Sequence, residues 1–434
     1  MAARNHAAGA RGLGIGLAVL ALAATACTTG EADTQNNASA QNGASGSAEL
    51  SITPETGAEE IAPNTPVRVT AEGGEITDVR VEQTVVDAAS LPDGEQAEGG
   101  DLYTVTGSLN EDATEWVSDW TLRPGAEVVV TATAEDGSGQ TTEETAEFTT
   151  TPAVAGQRLE LATNRPLSGA TVGVGMPIVV DFDLPVTNKA QVESAMEVVS
   201  DQGVTGAWGW LDNDMTAVFR PEEYWEPHQS VTVNMRLAGV EAADGVYGVK
   251  NYRLAFEIGP ERILTMHVPD HELVVTTDGE RERVIPVSNG ASTVRFDTTT
   301  SGTHVLMERA ESVTMDSSTT DMPEDMPGYN TTVRYGIRTT NSGEYLHEAS
   351  YNSNIGVANT SNGCTNLRME DARWLYENTL MGDVLDTTGT DREVEWYNGW
   401  GYWQLSFDEW RDKSATGAYA TTGGTPGSVH GEGL

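Results

Sequence analysis

Hydrophobic positions along this chain alternate over short distances, and short β-favouring runs are separated by turn signals. Between 49 and 152 the runs fall at 67–69, 79–81, 103–105, 128–133 and 148–150, with Pro92-Asp93-Gly94 and Asp136-Gly137 as turns. That spacing predicts a small antiparallel sandwich. The stretch 153–259 echoes it. Gly57-Ala58 and Pro66-Val67-Arg68-Val69 reappear as Gly169-Ala170 and Pro177-Ile178-Val179-Val180, and Leu122-Arg123-Pro124 as Phe219-Arg220-Pro221. Two related sandwiches in tandem are therefore expected, with Trp208, Trp210, Tyr224 and Trp225 packing inside or between domains. The acidic stretch 241–244 lacks the ligand spacing of a calcium loop and reads as a solvated hairpin tip.

From 260 the texture changes. Strands are expected at 264–267, 272–276 and 283–287, with Asp278-Gly279 as a hairpin turn, and again at 305–307. A segment rich in Pro, Met and Gly then runs from Met315 through Pro323, Pro327 and Gly328 to Tyr329, which suits a lid. Residues 369–378 place Met369, Ala372 and Tyr376 on one helical face. A Trp-rich packing segment follows at 391–416, and a disordered tail is expected at 417–434.

Length and charge narrow the picture. The 434 residues suit about three domains, and a formal charge of −42 argues against nucleic acid or anionic lipid as electrostatic partners. Residues 1–26 carry Arg4, Arg11 and a short apolar run ending in Ala24-Thr25-Ala26-Cys27, an export signal too short to span a membrane. Small residues before Cys27 resemble a bacterial lipobox, which implies lipidation of Cys27 and a membrane held only through the lipid. Residues 27–48 read as a flexible tether. The expected location is the outer face of the cytoplasmic membrane, reaching into the wall.

Of two cysteines, lipidation or cleavage disposes of Cys27 and leaves Cys364 without a disulfide partner. An exported free thiol needs a nearby base to become a nucleophile, and His347 lies upstream of it. The order His before Cys disfavours a papain-like peptidase. No residue pattern calls for a metal or cofactor.

Ser342-Gly343, Leu346-His347, Thr360-Ser361-Asn362-Gly363-Cys364-Thr365-Asn366, Glu370-Asp371-Ala372-Arg373-Trp374 and Phe407-Asp408-Glu409-Trp410 together resemble the L,D-transpeptidases of actinobacteria. The resemblance implies a mainly β chain: two Ig-like sandwiches (49–152, 153–259), then a YkuD-type catalytic domain (260–390). It implies that Cys364 attacks a peptidoglycan stem tetrapeptide, with His347 as base, and passes the acyl group to a neighbouring stem in a 3→3 cross-link. By the same resemblance, the Gly363 and Cys364 backbones supply the oxyanion donors, and Tyr329, Ser342, Gly343 and Asn366 contact substrate. Met315 and Thr320 belong to the lid, and carbapenem-type β-lactams act as inhibitors. The family pattern is broken at Asn362, where histidine is usual, and at Glu348, where Ser or Thr is frequent. A wall-binding protein that has lost turnover is the alternative.

Overall fold

A computed structural model describes residues 47–91, 100–320, 322, 328–418, 420–422 and 429–430. Cys27, the signal and almost all of the tether, the Pro92-Asp93-Gly94 turn, and Pro323 and Pro327 lie outside the described residues.

The first sandwich faces the sheet Glu49–Thr53, Arg68–Glu72, Glu115–Ser118, Gly107–Leu109 against the sheet Gly74–Val85, Ala126–Asp136, Thr141–Thr149. Ala126–Asp136 shows why: Ala126, Val128, Val130, Ala132 and Ala134 alternate inward and are fully buried, while the residues between them are polar or less buried. The Asp136 carboxylate accepts from the Ser138 and Gln140 N–H groups and closes the expected turn. Residues 103–105 are not a strand. Gly100–Tyr103 forms a 3-10 turn that carries Leu102 into the interior.

In the second sandwich, Thr171–Val172, Tyr252–Ile258, Gln229–Met235 and Met196–Ser200 face a five-stranded sheet containing Leu161–Arg165, Ile178–Phe182, Thr216–Pro221 and Thr205–Trp210. Its fifth strand, Ala420–Thr421, comes from the segment expected as a disordered tail. Farther along, Val429 is buried and its N–H donates to the Asp119 carbonyl. Single buried anchors among Gly, Ser and Thr hold this stretch, a signal that hydrophobic periodicity cannot register. As expected, Trp208, Trp210 and Trp225 are buried, and Asp244 sits exposed at a hairpin tip.

The catalytic region contains two sheets. One orders Glu280–Pro286, Glu272–Thr277, Arg262–His267, Val384–Thr388 and Gly302–Val305; the other orders Arg309–Asp316, Asn330–Arg338, Tyr345–Glu348 and Thr365–Leu367. The strand expected at 305–307 lies instead at Gly302–Val305, and Met315 belongs to the hairpin strand, opposite Thr331. The helix Met369–Asn378 forms as expected, burying Asp371, Ala372 and Leu375. Three strand residues and the N-cap Arg368 separate its start from Cys364, so its N-terminal dipole is not applied to the thiol directly.

Candidate active site

Tyr345–Glu348 and Thr365–Leu367 run parallel, with His347 opposite Asn366 and Leu346 opposite Thr365. A parallel pair needs a crossover, here residues 349–364. The crossover ends in a sharp turn at Gly363, whose φ of +114° favours glycine and turns the chain into the second strand. Cys364 thus emerges beside the strand that bears His347, and both line a cleft of about 430 Å³. Met315, Tyr329, Asn362 and Asn366 line the same cleft.

Burial raises the Cys364 thiol to about 12, partly offset by a Tyr345 backbone N–H and reinforced by the Glu344 charge. The sulfur is half-buried, and its S–H points to the Gly343 carbonyl at 3.7 Å. His347 is 5% exposed, and burial lowers its pKa from 6.5. Its Nδ1 lies 2.9 Å from the Glu348 carbonyl, which assigns the proton to Nδ1 and leaves Nε2 as an acceptor. The resting pair is therefore a neutral thiol beside a neutral imidazole. The arrangement suits a thiol that transfers its proton only as it attacks.

Nε2 is not idle. The Asn366 amide donates to it at 3.2 Å, and the Asn366 carbonyl oxygen accepts from Asn352 at 3.0 Å. Asn366, expected to touch substrate, lines the cleft and is hydrogen-bonded to the His347 imidazole. Glu348 does not turn toward the imidazole: its carboxylate accepts from the Ser350 N–H at 2.7 Å, and its charge is only the third influence on His347. The Gly363 N–H, one expected oxyanion donor, is engaged by the Ser361 hydroxyl at 3.2 Å. Ser361 in turn donates to the Cys364 carbonyl at 2.5 Å. The half-buried Tyr329 phenol, its pKa raised by burial and then by the Cys364 charge, lines the cleft with Cys364.

Ser342 lies outside the cleft lining, paired with Asn398 through its N–H at 2.9 Å and its hydroxyl at 3.0 Å. Thr320 is also outside the lining, its hydroxyl on the Ser317 carbonyl. Asn362 is exposed on the rim and forms no side-chain hydrogen bond among the described residues. The departure from the usual motif therefore leaves the local hydrogen-bonded frame intact. Among the described residues no cluster suits a metal ion.

Residues 261–390 match the L,D-transpeptidase catalytic domain family, and residues 58–241 match the bacterial Ig domain family. Over 362 residues, 83% of each chain, the sequence is 30% identical to L,D-transpeptidase 2 of Mycobacterium tuberculosis. The chain belongs to the L,D-transpeptidase family. It is also 28% identical to L,D-transpeptidase 5 of that organism over 84% of this chain and 77% of the relative. A solved L,D-transpeptidase in complex with imipenem is 32% identical over 52% of this chain and 98% of the other, at a TM-score of 0.45.

As an L,D-transpeptidase family member, the chain adds cleft residues that sequence reasoning missed: Thr331, Val333, Tyr351, Asn352 and Asn354. Asn352 and Asn354 stand in an Asn- and Ser-rich crossover that reads only as a loop. Their recruitment depends on how that loop folds back, which spacing does not encode.

Proposed function

We propose that this chain is a peptidoglycan L,D-transpeptidase that forms 3→3 cross-links through a Cys364 acyl-enzyme. The observation that carries the reading is the placement of Cys364 at the entry to the strand that runs parallel to the one bearing His347, both residues opening into one cleft. In the first half-reaction, the Cys364 proton passes to His347 Nε2 as sulfur attacks the donor-stem carbonyl. Asn366 must yield that lone pair as the proton arrives. The Cys364 N–H and Tyr329 hydroxyl would stabilise the oxyanion. D-Alanine leaves with the proton from His347. In the second half-reaction, the side-chain amine of a neighbouring stem attacks the thioester, gives its proton to His347, and the thiol reforms. A lipid on Cys27 would hold the protein at the outer membrane face, with the tether and sandwiches reaching the wall.

Incubation with a carbapenem and intact-mass measurement tests the nucleophile. One adduct on Cys364 is expected, and a folded protein without it refutes the enzyme in favour of the wall-binding alternative. Cys364→Ala is expected to abolish 3→3 dimers from tetrapeptide stems. Because His347 must be neutral to accept a proton, and burial lowers its pKa, the acid limb of acylation is expected below pH 6.5. Cys27→Ser is expected to release protein into the medium, and unchanged membrane retention would count against lipidation.

A further inference from the structure

The two backbone groups that hold the Cys364 sulfur, the Gly343 carbonyl and the Tyr345 N–H, flank a single residue, Glu344. Its side chain is 8% exposed and faces away from the cleft into a polar nest. One carboxylate oxygen accepts from the Thr300 hydroxyl at 2.7 Å and the Thr300 N–H at 3.2 Å; the other accepts from Arg392 at 3.2 Å. Arg392 also donates to the Thr298 carbonyl at 2.9 Å. The neighbouring Thr299 hydroxyl donates to the Gly363 carbonyl at 2.6 Å. One carboxylate thus joins both backbone stretches that touch the nucleophile: 343–345 on one side, and 298–300, which holds Gly363, on the other.

The Glu344 main chain is fixed as well. Its N–H donates to the Thr340 hydroxyl at 2.9 Å, and its carbonyl accepts from the Thr339 N–H and hydroxyl at 3.0 Å. Such investment in a buried carboxylate beneath a thiol is costly, because its charge opposes the thiolate. Arg392 offsets that charge. Burial raises the Glu344 pKa, Thr300 and Arg392 lower it, and Glu395 raises it again from the C-terminal segment; His304, 2.7 Å from the Thr300 hydroxyl, is held neutral by burial, which lowers it to about 4. Around the thiol itself stand His347, Tyr329, Tyr345 and Tyr351.

We propose that Glu344 is a positioning residue: clamped by Thr300 and Arg392, it sets the place of the Cys364 sulfur and, with Arg392, the electrostatic balance that governs thiolate formation. The inference rests on Cys364 being the nucleophile, but its main readout needs no turnover. In the full chain carrying Cys27→Ser, Cys364 is the remaining thiol, and its alkylation by iodoacetamide at pH 8 reports thiolate. Glu344→Gln removes the opposing charge and is expected to react about tenfold faster, as a one-unit fall in thiol pKa requires. Glu344→Asp keeps the charge but shortens its reach to Thr300 and Arg392, and is expected to leave alkylation within about twofold of the parent while losing carbapenem acylation.

A purely structural lesion loosens the site and speeds both variants, so a gain in alkylation by Glu344→Asp, or none by Glu344→Gln, overturns the proposal. Positioning predicts a second split: Glu344→Gln is expected to lose about tenfold in carbapenem acylation while gaining in alkylation. Gains in both refute the positioning role. If the unsubstituted protein takes no carbapenem, the enzyme reading fails, whereas the paired alkylation rates still decide the role of Glu344.

Discussion

The two junctions between the three folded regions are built from different forces. The first sandwich meets the second mainly through polar contacts: Thr121 to the Ala238 carbonyl at 2.8 Å, Asn251 to the Leu102 carbonyl at 2.9 Å, and Arg253 to Asp101. Its own core, around Val67, Val128, Val130 and Phe148, is separate. Trp120 is the exception, burying itself against the second core beneath Arg236. The core of the second sandwich instead runs on into Val305, Val384, Trp400, Tyr402 and Trp410, although the catalytic region keeps a second core of its own around Leu264, Leu273, Leu346 and Leu375. A polar contact contributes about 1 kcal/mol net, whereas a buried Trp contributes several times more. The first sandwich is accordingly expected to separate more readily than the second, whose core continues into the catalytic region and its C-terminal segment.

The largest expected effect tests that division. A chain beginning at 260 exposes the faces of Trp400, Tyr402 and Trp410 that the second sandwich covers, and is expected to aggregate or lack a cooperative melt. A chain beginning at 153 keeps the shared core and is expected to melt cooperatively and to retain carbapenem acylation. Equal behaviour of the two truncations, by circular dichroism and intact mass, would erase the distinction.

Trp410→Ala probes the shared core at one residue. Trp410 is fully buried, donates to the Ala207 carbonyl at 3.0 Å, and packs where a side chain on Gly209 would collide with its ring. Cavity formation is expected to cost about 3–5 kcal/mol in denaturant unfolding. Loss should appear in one transition that includes the catalytic region; an independent catalytic transition at the original midpoint would break the comparison.

How far the sequence revealed all this depended on how local each signal was. Alternation in 126–136 and the Asp278-Gly279 turn made strands and hairpins readable, because the pattern and the structure share a period of two. The Cys364–His347 pair was readable as an ordered motif. The Glu344 clamp was not, since Thr300, Glu344 and Arg392 lie far apart in the chain and only sheet packing brings them together. The hydrogen bond from Asn366 to the His347 imidazole was hidden for the same reason: it is set by the parallel register that puts the two residues opposite each other. Nor did the Gly-, Ser- and Thr-rich C-terminal stretch announce its docking, which rests on Thr422, Val429 and a two-residue strand.

Asp383 gives the apolar junction a pH dependence. Its carboxylate is fully buried, accepts from the Leu380 N–H at 2.8 Å and lies 3.8 Å from Arg262. One oxygen has no partner, so burial outweighs Arg262 and raises its pKa to about 7. Folding then favours the protonated acid. That stability is present below the unfolded value of 3.8 and is lost as pH rises through about 7. Asp383→Asn mimics the favoured form and is expected to stabilise by on the order of 2 kcal/mol at pH 8, with the gain shrinking through pH 5 and vanishing only below about pH 3.8. A gain independent of pH would assign the effect to packing instead.

The smallest effect belongs to the polar junction. Arg253 contacts Asp101 through two nitrogens at 2.8 and 3.0 Å, but the carboxylate is exposed, so water and salt screen the pair. Arg253→Ala is expected to lower Tm by less than about 2 °C. Arg253 holds the Asp101 pKa below 3.8, so the pair contributes above that value and its contribution disappears as pH falls through the lowered one. The difference between Arg253→Ala and the parent should therefore shrink in acid and in high salt. A loss as large as that of Trp410→Ala would mean that the first sandwich is fastened as firmly as the second, and the spacer would then be part of the folding unit.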